Sequence, residues 1–265
     1  MDPINQFKEQ QKIAWSNFAN FESLTATVAP VLLRFAGVKA GTAVLDVACG
    51  TGVAALTAAR LGANVTGLDL TPELIARARE NSALMNLPVA WHEGDAEKLP
   101  LPDAHFDFVV SQFGHMFAPR PEVVIGEMLR VLKPGGVIAF VTWPTELLTG
   151  RMYALLRGYA PPPPSGVSPP AQWGDPAIIR ERLGAAVKDI FFARDAMLVP
   201  SLSPQHYRQF TEQNLGPMTR LLQSLDKSDP AKAATLRHEF EELAAHYFEN
   251  NIVRLDYLLT RAIKA

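Results

Sequence analysis

Residues 44 to 52 read Val44-Leu45-Asp46-Val47-Ala48-Cys49-Gly50-Thr51-Gly52: an apolar run carrying one carboxylate, then a loop in which two glycines leave bare main chain. A run of this kind reads as a buried strand, and the loop behind it suits a small charged ligand. Glycine has no Cβ, so it accepts unusual dihedrals and lets a ligand approach the main chain. A helix starting near Val53 points free N–H groups at whatever sits there. Gly50, Gly52 and Ala55 also satisfy the spacing of a dinucleotide-binding turn, with Asp69 near the place of its ribose-binding acid. A nicotinamide-dependent oxidoreductase is therefore a rival reading. Asp46 separates the two, since a buried carboxylate beside the loop repels a diphosphate and attracts an ammonium group.

The 265 residues are 48% hydrophobic and 20% charged, which suits a globular enzyme with one large core. Net charge is −2, with Lys+Arg 25 against Asp+Glu 27 and no basic run, so the electrostatic footprint of a nucleic-acid binder is missing. No apolar stretch approaches the roughly 20 residues that cross a bilayer. The opening Met1-Asp2-Pro3-Ile4-Asn5 lacks the basic and apolar regions of a signal peptide, so a cytoplasmic protein is expected. The single cysteine, Cys49, excludes an intrachain disulfide and a cysteine metal cluster; it reads as a small packing side chain, with a nucleophile as the alternative. His206, His238 and His246 lie on helical patterns without partners at metal spacing, and no metal is expected.

Working outward, residues 37 to 143 alternate β-branched runs with helical patterns, the mark of a parallel sheet wrapped by helices. Strands are expected at Ala43 to Val47, Asn64 to Leu68, Val89 to His92, Phe106 to Val110 and Val137 to Thr142. Thr71-Pro72-Glu73 starts a helix after the second strand. A helix from about Pro121 stops at Lys133-Pro134-Gly135-Gly136. Residues 144 to 185 hold Pro161 to Pro164 and Pro169-Pro170, and read as an extended or looped insertion. A sixth strand is expected at Val187 to Arg194 and a last one at Leu255 to Ile263. Between them, at about 203 to 250, lie two helical patterns, one over Pro204 to Leu225 and one carrying Leu236, Phe240, Leu243 and Tyr247 on one face. Residues 1 to 36 form a helical cap on what reads as one domain over 1 to 265.

The blocks Val44 to Gly52, Gly67-Leu68-Asp69, Glu93 to Pro100, Phe106 to Val110 and Leu129 to Gly136 occur in order. Together they resemble the class I S-adenosylmethionine-dependent methyltransferases, in their ubiquinone/menaquinone-biosynthesis-like small-molecule branch. The resemblance covers about Val38 to Trp143. It implies a Rossmann-like, doubly wound α/β sheet of seven strands, the last antiparallel, with S-adenosylmethionine across the carboxyl ends of the first four. It implies that Asp46 and the main chain around Ala48, Cys49, Gly50 and Gly52 receive the methionine ammonium and carboxylate. Asp69 would take the ribose hydroxyls, or only cap the next helix; Leu70 would pack beside the adenine. Asp95 and Ala96 would read the adenine edge, or Asp95 would only form the turn. Ser111 and Gln112 complete the expected cofactor wall.

Methyl transfer from a sulfonium is an in-line displacement that needs alignment and exclusion of water, with a base optional. His115, past the fourth strand, is the candidate base, with an ordinary pKa near 6.5; its alternative is a loop histidine without a catalytic role. Phe113, Met116 and Trp143 are candidate acceptor contacts, Trp143 equally a closure of the sheet edge. Phe7, Ala14, Phe18 and Phe21 recur at helical spacing with Trp15 beside them. They would pack on the sheet edge, or Trp15 and Phe18 would cover the ligand as a lid. The expected partner is a small, apolar or aromatic methyl acceptor, with no nucleic acid and no membrane span, and a homodimer is left open. A protein that binds the cofactor without turnover is the third reading.

Overall fold

The computed structural model describes residues 2–16 and 18–265. Eight strands form one sheet: β1 (Ala43–Val47), β2 (Asn64–Asp69), β3 (Val89–Glu93), β4 (Phe106–Gln112), β5 (Leu132–Thr142), β6 (Val187–Pro200), β7 (Phe248–Glu249) and β8 (Ile252–Lys264). The order is β3-β2-β1-β4-β5-β8-β6, with β7 pairing only β8. The β1, β2, β3, β4 and β5 neighbours run parallel, and β8 lies antiparallel to both β5 and β6. This is the expected doubly wound sheet with an antiparallel last strand; the eighth strand is the two-residue β7. Helices cover both faces, which is why Val44, Leu45 and Val47 of β1 are all buried.

Register sets the ligand edge. Asp46 pairs with Gly67 on one side and Val110 on the other, and Asp69 pairs with Glu93. β1, β2, β3 and β4 therefore deliver their ends to one crevice, the place where open α/β sheets bind ligands.

Several expected boundaries move. Leu132 already pairs with Phe106, Lys133 to Gly136 loop out, and pairing resumes between Val137 and Phe108, so β5 begins before its Pro-Gly-Gly turn. β6 runs on to Pro200 because Ala196 to Pro200 stay paired with β8, with Met197 and Val199 facing inward. The 144–185 insertion is not merely looped: helices span Leu148–Tyr159 and Pro176–Leu183. Leu148, Met152 and Leu156 recur every fourth residue on the buried face of the first, and Pro176 sits at the start of the second, where Asp175 accepts from the Ala177 N–H at 2.8 Å. The prolines lie between the two helices.

The expected helix over Pro204 to Leu225 is two, Pro204–Asn214 and Gly216–Ser228. The break has a local cause: Leu215 is extended, and Pro217, in the first turn of the second helix, has no N–H to continue the first. A Cβ on Gly216 would fall 1.6 Å from the Ala14 carbonyl oxygen, so the amino-terminal helix Pro3–Trp15 lies backbone to backbone against it. That first helix ends at Trp15; Phe18–Phe21 form a separate 3-10 turn and Glu22–Thr25 one helical turn. The segment crosses the carboxyl ends of the strands, tied by Lys8 to Asp95 and by Arg220, which donates to the Gln10 carbonyl at 2.8 Å. No helix among the described residues is long and apolar enough to cross a membrane.

Candidate active site

The loop after β1 is wound by positive φ at Ala48 (53°), Gly50 (56°) and Gly52 (83°). The Cys49 N–H donates to the Leu68 carbonyl at 3.0 Å, and Gly52 N–H to the Cys49 carbonyl at 2.9 Å. Asp69 holds the loop from β2: one carboxylate oxygen accepts from the Gly50 N–H at 2.8 Å, the other from the Thr71 N–H at 2.9 Å. A Cβ on Gly50 would meet nothing within 4 Å, so that main chain faces open space. Gly114 closes the other side; a Cβ there would lie 2.4 Å from the Ala48 carbonyl oxygen.

Asp46 is 1% exposed, and its Oδ2 accepts from the Ala55 N–H at 2.9 Å. Its Oδ1 is buried without a partner among the described residues. Burial pushes the carboxyl up to about 8, opposed by the Ala55 N–H and reinforced by the nearby charge of Asp69. A lone buried carboxylate is costly, and a cation placed against Oδ1 would remove that cost.

One cavity runs from this loop across the ends of β4 and β5. Asp46, Asp69, Asp95 and Lys8 stand at its β1–β3 end. At the other end stand Phe113 and Trp143, just past β4 and β5, Met197 of β6, Leu255 of β8, and Tyr153 and Tyr207 from helices Leu148–Tyr159 and Pro204–Asn214. Phe113 and Trp143 stack with centroids 3.9 Å apart and planes 3° from parallel. Trp15, Phe18 and Phe21 also line the cavity.

Residues 45–140 match the methyltransferase-domain family. An uncharacterized protein of Mycobacterium tuberculosis is 36% identical over 244 residues, 92% of this chain and 89% of that one. A demethylmenaquinone methyltransferase of Staphylococcus aureus is 37% identical over 136 residues, 49% of this chain and 56% of the relative. The chain is a class I S-adenosylmethionine-dependent methyltransferase. The fold agrees: the solved YcgJ protein of Bacillus subtilis superposes with a TM-score of 0.61 at 18% identity, over 90% of this chain and 98% of that one.

The methyltransferase uses S-adenosylmethionine, and its site fits that molecule. The unpartnered Asp46 Oδ1 wants a cation, the ligand carries an ammonium, and Gly50 leaves the main chain open beside it. Asp69 keeps free lone pairs on both oxygens beyond the bonds it accepts. Among the described residues, no group of three or more His, Cys, Asp and Glu could hold a metal ion.

Of the residues singled out in the sequence, Asp46, Ala48, Cys49, Gly50, Asp69, Leu70, Asp95, Ala96 and Gln112 border the methyltransferase's cavity, as do Trp15, Phe18, Phe113, His115 and Trp143. Three lie outside its wall. Gly52 packs against Trp91, where a Cβ would come within 2.5 Å of the indole. The Ser111 hydroxyl turns inward, donating to the Val47 carbonyl at 2.7 Å and accepting from the His115 N–H at 3.0 Å. Met116 is 1% exposed, in the core.

His115 departs from its expected titration. Its ring lies between Phe140 and Trp173, each 4.6 Å away by centroid, and neither nitrogen has a partner among the described residues. Burial, with the charge of Arg182 behind it, pushes the imidazole down to about 3. A base that weak cannot take a proton at neutral pH. Cys49 is pushed up by burial and by Asp46 and Asp69, so its thiol stays protonated and is no nucleophile.

Sequence reading missed Lys8, Tyr153 and Tyr207. Lys8 is 7% exposed, bonded to Asp95 at 2.6 Å and Glu97 at 2.5 Å; Glu97 also takes Arg120 at 2.6 Å. A lysine in a polar helix carries no signal of burial. The tyrosines could have been found only by recognising helix Leu148–Tyr159 inside the proline-rich stretch and the break at Gly216.

Proposed function

We propose that the protein transfers the methyl group to a small, apolar or aromatic acceptor seated between the Phe113–Trp143 stack and the insertion helices. The observation that carries this is the single cavity, acidic at the β1–β3 end and aromatic at the other. Bound S-adenosylmethionine supplies an electrophilic methyl on a positively charged sulfur. Asp46 holds the methionine ammonium through Oδ1, and the open main chain at Gly50 lies beside its carboxylate. Asp69 accepts from the ribose hydroxyls, Leu70 packs on the adenine, and Asp95 and Ala96 meet its edge. Trp15, Phe18 and Phe21 keep water out, which an in-line displacement requires.

No side chain bordering the acceptor end is a base at neutral pH, so the acceptor's nucleophilic atom is methylated without deprotonation by the protein, any displaced proton passing to solvent with the product. His115 then packs and positions the loop after β4. A labelled-methyl screen against pooled phenols, quinols, carboxylic acids, amines and thiols tests the reading; transfer into the phenol or quinol pools is expected. Labelling confined to carboxylic acids or thiols would overturn it. A cytoplasmic location belongs to the same proposal.

A further inference from the structure

The acceptor end of the cavity is built almost without charge. Among the described residues that border the cavity, the ionisable side chains other than tyrosine are Lys8, Asp46, Cys49, Asp69, Asp95 and His115. All belong to the cofactor end or to the loop after β4. Beyond them the polar groups at the acceptor end are hydroxyls in two rows: Thr149 and Tyr153 one turn apart on helix Leu148–Tyr159, and Tyr207 and Thr211 one turn apart on helix Pro204–Asn214.

The rings are held. Tyr153 lies edge-on to Phe117 at 5.7 Å, and Tyr207 against Phe240 at 5.9 Å. The Thr211 hydroxyl is used by the Tyr207 carbonyl at 2.8 Å, whereas the Tyr153 hydroxyl makes no hydrogen bond within the protein among the described residues. Burial raises both phenols, Tyr207 to about 12 against a lowering hydrogen bond with Thr211, and Tyr153 also feels the charge of Tyr207, so both keep their protons at neutral pH. The same cavity is bordered by the parallel Phe113–Trp143 stack, an aromatic contact for a planar ligand.

We propose that Tyr153 and Tyr207 form the polar end of the acceptor site, holding an oxygen of an uncharged, planar aromatic acceptor and leaving carboxylates, phosphates and ammonium compounds without a counter-charge. This rests on the reading of the cavity as the methyl-acceptor site. A charge moved from water into this end finds no counter-charge, whereas an uncharged oxygen finds one or two phenol donors. The Tyr153 donor, unsatisfied by protein, makes the site discriminating: a ligand lacking oxygen leaves it unpaired.

Naphthalen-2-ol, naphthalene-2-carboxylate and naphthalene, which share one ring system, are the probes. Their binding is read by quenching of tryptophan fluorescence at pH 7, with S-adenosylhomocysteine titrated separately by calorimetry. In the wild-type protein the naphthol is expected to bind at least tenfold tighter than either other probe. In Tyr153→Phe/Tyr207→Phe its advantage over naphthalene falls to within twofold, while S-adenosylhomocysteine affinity is unchanged. The proposal is overturned if the carboxylate binds as tightly as the naphthol, if the advantage survives both substitutions, or if no probe binds. Loss of S-adenosylhomocysteine binding in the wild-type protein would sink the cofactor assignment instead, and the probe ranking would still judge the tyrosines.

Discussion

Lys8 Nζ lies 2.6 Å from Asp95 Oδ2, so the amino-terminal helix is bolted to the turn after β3, the proposed adenine contact. The same ammonium reaches Glu97 at 2.5 Å, and Glu97 is only 1% exposed. Replacing Lys8 removes two charge-assisted bonds but leaves Glu97 its Arg120 partner, so Lys8→Met is expected to cost about 2 kcal/mol rather than the larger cost of an orphaned buried charge. For a chain of this size that lowers Tm by roughly 4 to 8 °C. The first fifteen residues should also become protease-sensitive. An unchanged Tm with an uncleaved amino terminus would show that the ion pairs do not hold the helix.

Asp46 gives the protein a pH signature. Its folded pKa, about 8, lies above the unfolded value near 4, so the folded state holds the extra proton across that window and loses stability as pH rises through it. Between pH 6.5 and 8, denaturation of the cofactor-free protein should lose about 1 kcal/mol per pH unit, and Asp46→Asn should flatten that slope. An ammonium against Oδ1 favours the ionised form. Binding of S-adenosylhomocysteine should therefore release protons at pH 7, as read by calorimetry in buffers of different ionisation enthalpy, and the release should vanish in Asp46→Asn.

His115 has the opposite sign. With a folded pKa of about 3 against an unfolded value near 6.5, the folded state binds fewer protons, and its contribution is lost as pH falls through that range. His115→Phe keeps the ring between Phe140 and Trp173 and deletes two unpartnered nitrogens. Its stability advantage over wild type should widen by about 1 kcal/mol for each pH unit below 6.5. Cofactor affinity should hold within about twofold, the modest change of a volume-conserving swap. A large loss of methyl transfer with unchanged stability would restore the ring to the chemistry.

What the sequence made legible is what local chemistry fixes. β1 matches its expected residues because three apolar side chains around one acid can only be a strand buried on both faces, and the acids Asp46, Asp69 and Asp95 follow from strand ends. What stayed hidden depends on distant chain. Gly216 lies backbone to backbone against Ala14 from the other end of the chain, and no local periodicity carries that contact. Ser111 sits at a strand end facing the crevice by alternation, yet its hydroxyl turns to the Val47 carbonyl. His115 has a pKa set by Phe140, Trp173 and Arg182, from three other segments. Helix Leu148–Tyr159 was masked by the prolines that follow it, although Leu148, Met152 and Leu156 carry its spacing.

Gly50 separates a loop held in shape from a loop that touches a ligand. Its φ is 56°, and a Cβ there meets nothing within 4 Å. In Gly50→Ala the left-handed conformation costs about 1 kcal/mol, and the new methyl projects into the open space that the methionine end of the cofactor would fill. Stability should fall only slightly, with Tm down by roughly 2 to 4 °C. Affinity for S-adenosylhomocysteine should fall far more, by at least about tenfold, because the methyl occupies space that the methionine end of the ligand would fill. Gly114→Ala is the contrast: its Cβ would strike the Ala48 carbonyl, so stability and affinity should fall together. If Gly50→Ala binds S-adenosylhomocysteine as wild type does, the turn shapes the cavity without touching the cofactor, and the placement of the methionine carboxylate at Ala48 to Gly50 is wrong.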